Sequence, residues 1–201
     1  MMMSAKRIGT MLTFALMVSC SLGQTTYFPA KTLEPPNLYP EILREWYSRS
    51  LVALKEPSLF ELAQNQTTHS YRFLWLRTFN NPVAIRLNVN ADGTGTLIEK
   101  VTSGEAGFRP GSLTVSFAKP LTQKQTNDFV KKIEILNFWS IPTIDPAIGG
   151  TDGSEWIIEG VHDGKYHVVN RWTPSSGPIR ELGLAMAVNL AGMNIPGNEL
   201  Y

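Results

Sequence analysis

The sequence predicts an α+β fold: a mainly antiparallel six-stranded sheet packed by helices, with a helical pair at its N-terminal side. Runs of strand length, apolar throughout or alternating, recur from His69 onward, and Gly-containing tight loops join some of them into hairpins. Helical spacing of apolar residues appears before the first run, after the fourth and after the last. The 201 residues suit one core of ordinary size, and a 43% hydrophobic fraction excludes a largely disordered chain. A net charge of +1 argues against nucleic acid as a partner, and a single cysteine excludes both a disulfide scaffold and a Cys-based zinc site.

Residues 1–23 read as an export signal. Lys6 and Arg7 form a positive start, and Ile8 to Val18 is an uncharged, mostly apolar run shorter than the roughly 20 residues that span a bilayer. Ser21-Leu22-Gly23 places small residues for cleavage before Gln24. Cys20, in Leu16-Met17-Val18-Ser19-Cys20, resembles the lipidated cysteine of a bacterial lipobox, although Met17 stands where Leu, Val or Ile is usual. Two fates stay open: lipid attachment at Cys20, giving a peripheral membrane anchor, or loss of Cys20 with the leader. Removing residues 1–23 takes two basic side chains and no acid, leaving 16 basic against 17 acidic.

Residues 24–39, with Pro29, Pro35 and Pro36, read as an extended tether, and residues 40–201 as a single domain whose helical pair occupies 40–66. Pro40 suits a first helical turn, followed by Ile42, Leu43, Trp46, Tyr47, Leu51 and Leu54 at helical spacing, and Pro57 ends the run. Ser58-Leu59-Phe60-Glu61 is a capping-box pattern for a short second helix. Tyr71 to Arg77 is apolar on both faces, as an interior strand requires. Val83 to Val89 alternates; a three-residue Ala91-Asp92-Gly93 loop then pairs Val89 with Gly95 and Leu87 with Leu97, keeping apolar side chains together. Leu113 to Phe117 forms a fourth strand. Thr122 to Gln125 caps a helix running to about Asn137, and a last helix covers Gly177 to Ala191 with Ser175 or Ser176 as its cap.

The hairpin from Asp152 to Trp172 carries the only constellation suited to chemistry. A two-residue Asp163-Gly164 turn leaves both faces half polar. A three-residue His162-Asp163-Gly164 loop gathers Trp156, Ile158, Tyr166, Val168 and Trp172 on one face and sets Glu159 across from His167 and Glu155 across from Arg171. Burying each large side chain is worth roughly 1.5–3 kcal/mol and each cross-strand ion pair roughly 0.2–1 kcal/mol, so the second register is expected. Glu155, Glu159, His167 and Arg171 are the candidate ligand-binding residues. A Glu–His pair is a general acid/base unit and an Arg beside it holds an anion; the same face is also what a solvated, ion-paired strand surface looks like. His69 and His162 stand apart in sequence, and no HExxH or comparable spacing exists, so neither a metal nor another cofactor is expected. The amides that open the last helix, after Thr173 to Gly177, form a second, weaker anion candidate.

Tyr71-Arg72-Phe73-Leu74-Trp75-Leu76-Arg77, Phe138-Trp139, Trp156-Ile157-Ile158-Glu159-Gly160, Tyr166 to Trp172 and Pro174 together resemble an uncharacterised family of bacterial secreted or lipoprotein-like proteins. The resemblance covers Tyr71 to Ala191 and implies export, with no activity to transfer. The expectation is an exported envelope or secreted protein, periplasmic, outer-membrane-anchored or released, acting as a non-enzymatic binding module toward a protein or other envelope component. The rival expectation is a periplasmic hydrolase or ligand-processing enzyme built on Glu159, His167 and Arg171, with Arg72 or Arg77 nearby.

Overall fold

The computed structural model describes residues 25–34, 41–145, 150 and 152–201; the export signal, Cys20 and part of the expected tether lie outside them. One antiparallel sheet of six strands organises the chain, in the order β4-β3-β2-β1-β5-β6. The strands are β1 (Ser70–Arg77), β2 (Val83–Val89), β3 (Gly95–Thr102), β4 (Leu113–Leu121), β5 (Ser154–His162) and β6 (Lys165–Trp172). β1 is buried along its whole length, as its two-faced apolar sequence demands. The first hairpin takes the expected register, Val89 opposite Gly95 and Leu87 opposite Leu97, with Gly93 at φ 81. β4 runs four residues past the expected end. Pro120 is tolerated there because an edge strand has one side on which no N–H is needed.

Both faces of the central strands are covered, while the edge strand β4 stays largely exposed. On one, Tyr71, Phe73 and Trp75 meet Ile85, Leu87, Trp156 and Ile158 beneath α3 (Gln123–Ile135) and α4 (Pro178–Leu184), which continues as a π-helical turn over Ala185–Ala191. α3 carries the predicted capping box, Thr122 accepting from Gln125 N while the Gln125 side chain returns to Thr122 N. α4 is capped otherwise than expected. Gly177, at φ 90, is its N-cap with Pro178 following, and neither Ser175 nor Ser176 supplies the cap. Pro178 already removes one orphan N–H, and its fixed φ starts the helix two residues too late for Ser175.

The opposite face packs against α1 (Ile42–Ala53) and α2 (Leu59–Leu62). α1 turns Leu43, Tyr47 and Leu51 inward, while Ile42 points outward at 46% exposure. Ser58 accepts from Glu61 N as the capping pattern predicts, but Glu61 accepts from Thr26 N rather than closing the box. Residues 25–34 are therefore docked rather than extended free: Tyr27, Phe28 and Leu33 are buried with Tyr47, Leu51, Leu74 and Ile157. Apolar side chains in that segment outweigh its proline content.

The last hairpin departs from expectation. Asp163 and Gly164, at φ 50 and 72, form a two-residue turn, and His162 pairs with Lys165, Gly160 with His167 and Glu159 with Val168. The expected register assumed a solvated polar face, whereas here both faces are interior and Glu159, His167 and Arg171 each also find a partner outside the hairpin.

Close packing across this core gives a direct test. A Cβ on Gly183 would lie 2.5 Å from the Trp156 ring and 3.1 Å from Phe73, whereas one on Gly197 would meet open space. Gly183→Ala is expected to lower unfolding free energy in urea by about 1–3 kcal/mol, and Gly197→Ala to leave it within about 0.5 kcal/mol.

Candidate functional site

The two-residue turn sends the four candidate residues to opposite faces. Glu155 and Glu159 point toward α1 and α2; His167 and Arg171 point toward α3 and α4. The expected Glu159–His167 and Glu155–Arg171 pairs do not form, because each partner stands one position out of register.

Glu159 is paired through β1 instead. Arg72 lies directly opposite it, donating to Glu159 Oε2 from Nε at 2.7 Å, and Tyr166 donates to Oε1 at 2.9 Å. On its other flank Arg72 stands opposite Arg86, a like-charge neighbour that would be unfavourable alone. Glu56, between α1 and α2, resolves this. Its Oε2 lies 2.8 Å from Arg86 Nε and 3.4 Å from Arg72 Nη1, and its Oε1 lies 2.9 Å from Lys100 Nζ. Burial works to raise the Glu56 carboxyl, but Arg72 and Arg86 outweigh it and hold it below the usual range. For Glu159, fully enclosed, burial prevails over the pull of Arg72 and the carboxyl sits higher than usual. The cluster is sealed from solvent at its centre, so it fixes the helical layer to the sheet and offers no open coordination or reaction position.

Glu155 sits in a second interior cluster with Tyr47 and Asn170; Asn170 Nδ2 donates to Tyr47 Oη at 2.9 Å. Burial pushes the Glu155 carboxyl up to about 7, against hydrogen bonds from Asn170 and Tyr47 that lower it. His167 is half-buried against Phe138, its Nε2 3.0 Å from the Ile141 carbonyl, and burial lowers its pKa. Arg171 donates to the carbonyls of Asn170 and Pro142 at 2.6 and 3.0 Å. Burial lowers its pKa too, against the opposing charge of Asp145.

His69 and His162, far apart in sequence, stack with ring centroids 4.0 Å apart. Burial, then the neighbouring His162, takes His69 down to about 4. Among the described residues no group of three or more His, Cys, Asp or Glu side chains is placed to hold a metal.

Among the described residues, the depressions open to solvent include a groove and a cleft. A groove of about 580 Å³ runs between residues 25–28 and α1, lined by Glu41, Arg44, Glu45 and Arg49 among others. A cleft of about 350 Å³ lies where β6 leaves the sheet, lined by Ile141, Asp145 and the stretch from Arg171 to Ser176, with Pro178 and Ile179. This cleft unites two sequence candidates, Arg171 and the Thr173–Gly177 approach to α4. Pro178 opens α4 directly after its Gly177 cap, so the anion-holding role expected of its first amides lacks one N–H donor.

Comparison with protein-family models, curated proteins and solved structures returned no match to this chain.

Sequence reasoning missed Glu56, Arg86, Lys100, Tyr47 and Asn170. A signal existed for Glu56 alone: Arg72 within a wholly buried interior strand requires a buried counter-charge.

Glu56→Gln, which leaves Arg72 and Arg86 facing each other, is expected to cost about 3–5 kcal/mol of stability in urea titrations. Glu155 gives a pH signature of defined sign. Its folded pKa lies above its unfolded value, so the folded state binds the extra proton and stability falls as pH rises from about 4.5 through 7. Glu155→Gln should match the parent at pH 4.5 and exceed it by roughly 3 kcal/mol above pH 8; a difference independent of pH would contradict the assignment.

Proposed function

We propose that the chain is an exported binding module of the cell envelope or its surroundings, engaging a protein or other envelope component without catalysing a reaction on it. The observation that supports this reading is the cleft beside Arg171 and Trp172 at one end of the sheet, where Ile141, Pro174 and Ile179 stand next to Ser175 and Ser176 and where Arg171 and Asp145 both reach the lining. At that same end, where β1 finishes and β5 begins, Phe79 and Phe108 are exposed at 55% and 60% with ring centroids 6.2 Å apart. Aromatic side chains held open to water favour contact with a partner surface. The hydrolytic alternative required Glu159, His167 and Arg171 together, and the register separates them.

Export is the sequence's contribution to the proposal, through Lys6, Arg7 and the apolar run before Cys20. No helix among the described residues is long and apolar enough to cross a membrane. Lipidation of Cys20 would make membrane attachment peripheral, and cleavage before Gln24 would release the domain.

Photo-crosslinking in a bacterial host tests both parts. A crosslinker at Ser176, on the cleft, is expected to yield a discrete adduct with an envelope component, and one at Lys131 on α3 is not. Intact mass of the recovered protein should begin at a modified Cys20 or at Gln24. Equal labelling from both positions would contradict the binding surface, and recovery beginning at Met1 would contradict export.

A further inference from the structure

The two edges of the sheet are finished differently. On β6, the Asn170 N–H is taken up by the chain itself, donating to the Thr143 carbonyl at 2.7 Å. Among the described residues β4 pairs with β3 alone, and Thr114 to Ala118 are exposed without a break. Val115 and Phe117 stand 41% and 56% open to water.

The preceding hairpin fixes which main-chain groups of β4 face outward. Asn90 N donates to Thr94 O, so the even-numbered groups of β3 turn to β2 and the odd-numbered ones to β4. Through the pairs Leu97–Lys119, Glu99–Phe117 and Val101–Val115, β4 directs its odd-numbered groups to β3. The N–H and C=O groups of Ser116 and Ala118 therefore point away from the sheet. This regular stretch is bounded on both sides. Val101 pairs with Val115 and Thr102 with Leu113, so Thr114 is an extra residue, a bulge, and Pro120 at the other end has no N–H to offer. Phe117 is the midpoint. Edges are commonly guarded by charge, but no charged side chain occurs from Leu113 to Ala118, and the Lys119 ammonium is drawn onto the Ala191 carbonyl at 3.2 Å.

We propose that this edge is a self-association surface, on which β4 of a second copy of the chain pairs antiparallel about a two-fold axis at Phe117. Ser116 of each copy then lies opposite Ala118 of the other, and each such pair exchanges two main-chain hydrogen bonds. The Phe117 rings meet directly across the axis, an aromatic cross-strand pair on the face of α3 and α4. Neighbouring registers fail. Centred on Ser116, Ala118 meets the bulge at Thr114; centred on Ala118, Ser116 meets Pro120 and loses a donor. The Lys119 positions of the two copies lie four residues apart along the paired strands, about 14 Å, beyond the screening length of about 8 Å. A strand junction of this length is smaller than a standard interface, so the association is weak and concentration-dependent. It joins two sheets into one and leaves both β6 edges, with their clefts, at the outer margins.

Sedimentation equilibrium on the whole protein, with amide hydrogen exchange at low and high concentration, tests this. A monomer–dimer equilibrium is expected, with Ser116 and Ala118 amides gaining protection as concentration rises. Phe117→Lys, at an exposed side chain, should weaken the dimer at least about tenfold by setting like charges opposite each other. Phe117→Glu should do the same, and an equimolar mixture of the two variants should recover the dimer. Ser116→Pro, which removes an outward N–H and none bonded to β3, should weaken it by about tenfold as well. If that variant loses its fold, the charge-swapped pair carries the comparison alone. A monomer at every concentration up to about 1 mM, self-association that Phe117→Lys leaves unchanged, or a mixture that stays monomeric would overturn the proposal.

Discussion

A single carboxylate, Glu56, makes this sheet compatible with its own sequence. Arg72 and Arg86 stand directly opposite each other on adjacent central strands, and Lys100 approaches from β3. Three cations on one buried face would drive the strands apart without a counter-charge. Glu56 supplies it from the turn between α1 and α2, and Glu159 supplies a second from β5. The helical layer is therefore tied to the sheet by charge as well as by Tyr47, Leu51 and Leu54, and the strand order beneath it is tied to the same atoms. Changing a core apolar residue leaves a cavity; changing Glu56 leaves unpaired ions, which is the costlier defect.

The same constraint decides the last hairpin. Glu159 must face Arg72, so β5 offers its carboxylates to α1 and α2, and the Asp163-Gly164 turn follows with both residues left-handed. His167 and Arg171 are then directed toward α3 and α4, where Ile141, Pro142 and Asn170 supply carbonyls to their nitrogens. A pattern that reads as an acid/base face in one dimension becomes two separate structural clusters in three.

Local signals were legible where one face of an element dominates. The Val83–Val89 alternation with Gly93 defined the first hairpin register, and Thr122 with Gln125 defined the start of α3. The last hairpin was not legible from its own residues, because a sheet buried on both faces removes the apolar/polar contrast on which register arguments rest. Its partners, Arg72 and Tyr47, lie 87 and more than a hundred residues away from the groups they satisfy. The cap of α4 and the docking of residues 25–34 depend likewise on what Pro178 and the Tyr27–Phe28 pair meet in the folded chain. The cleft joined Arg171 to the approach to α4, though neither residue pattern announced the other.

The Arg171 cleft and the exposed Phe79–Phe108 pair lie at the end of the sheet where β1 and β6 finish. The opposite hairpin end carries the stacked His69 and His162. The placement of Arg171 in the proposed docking surface follows from the register that sends Glu159 toward Arg72. Cross-strand nuclear Overhauser contacts in the last hairpin test that register most directly. Gly160 opposite His167 and Ile158 opposite Val169 are the contacts the structure requires; Glu159 found opposite His167 would contradict it.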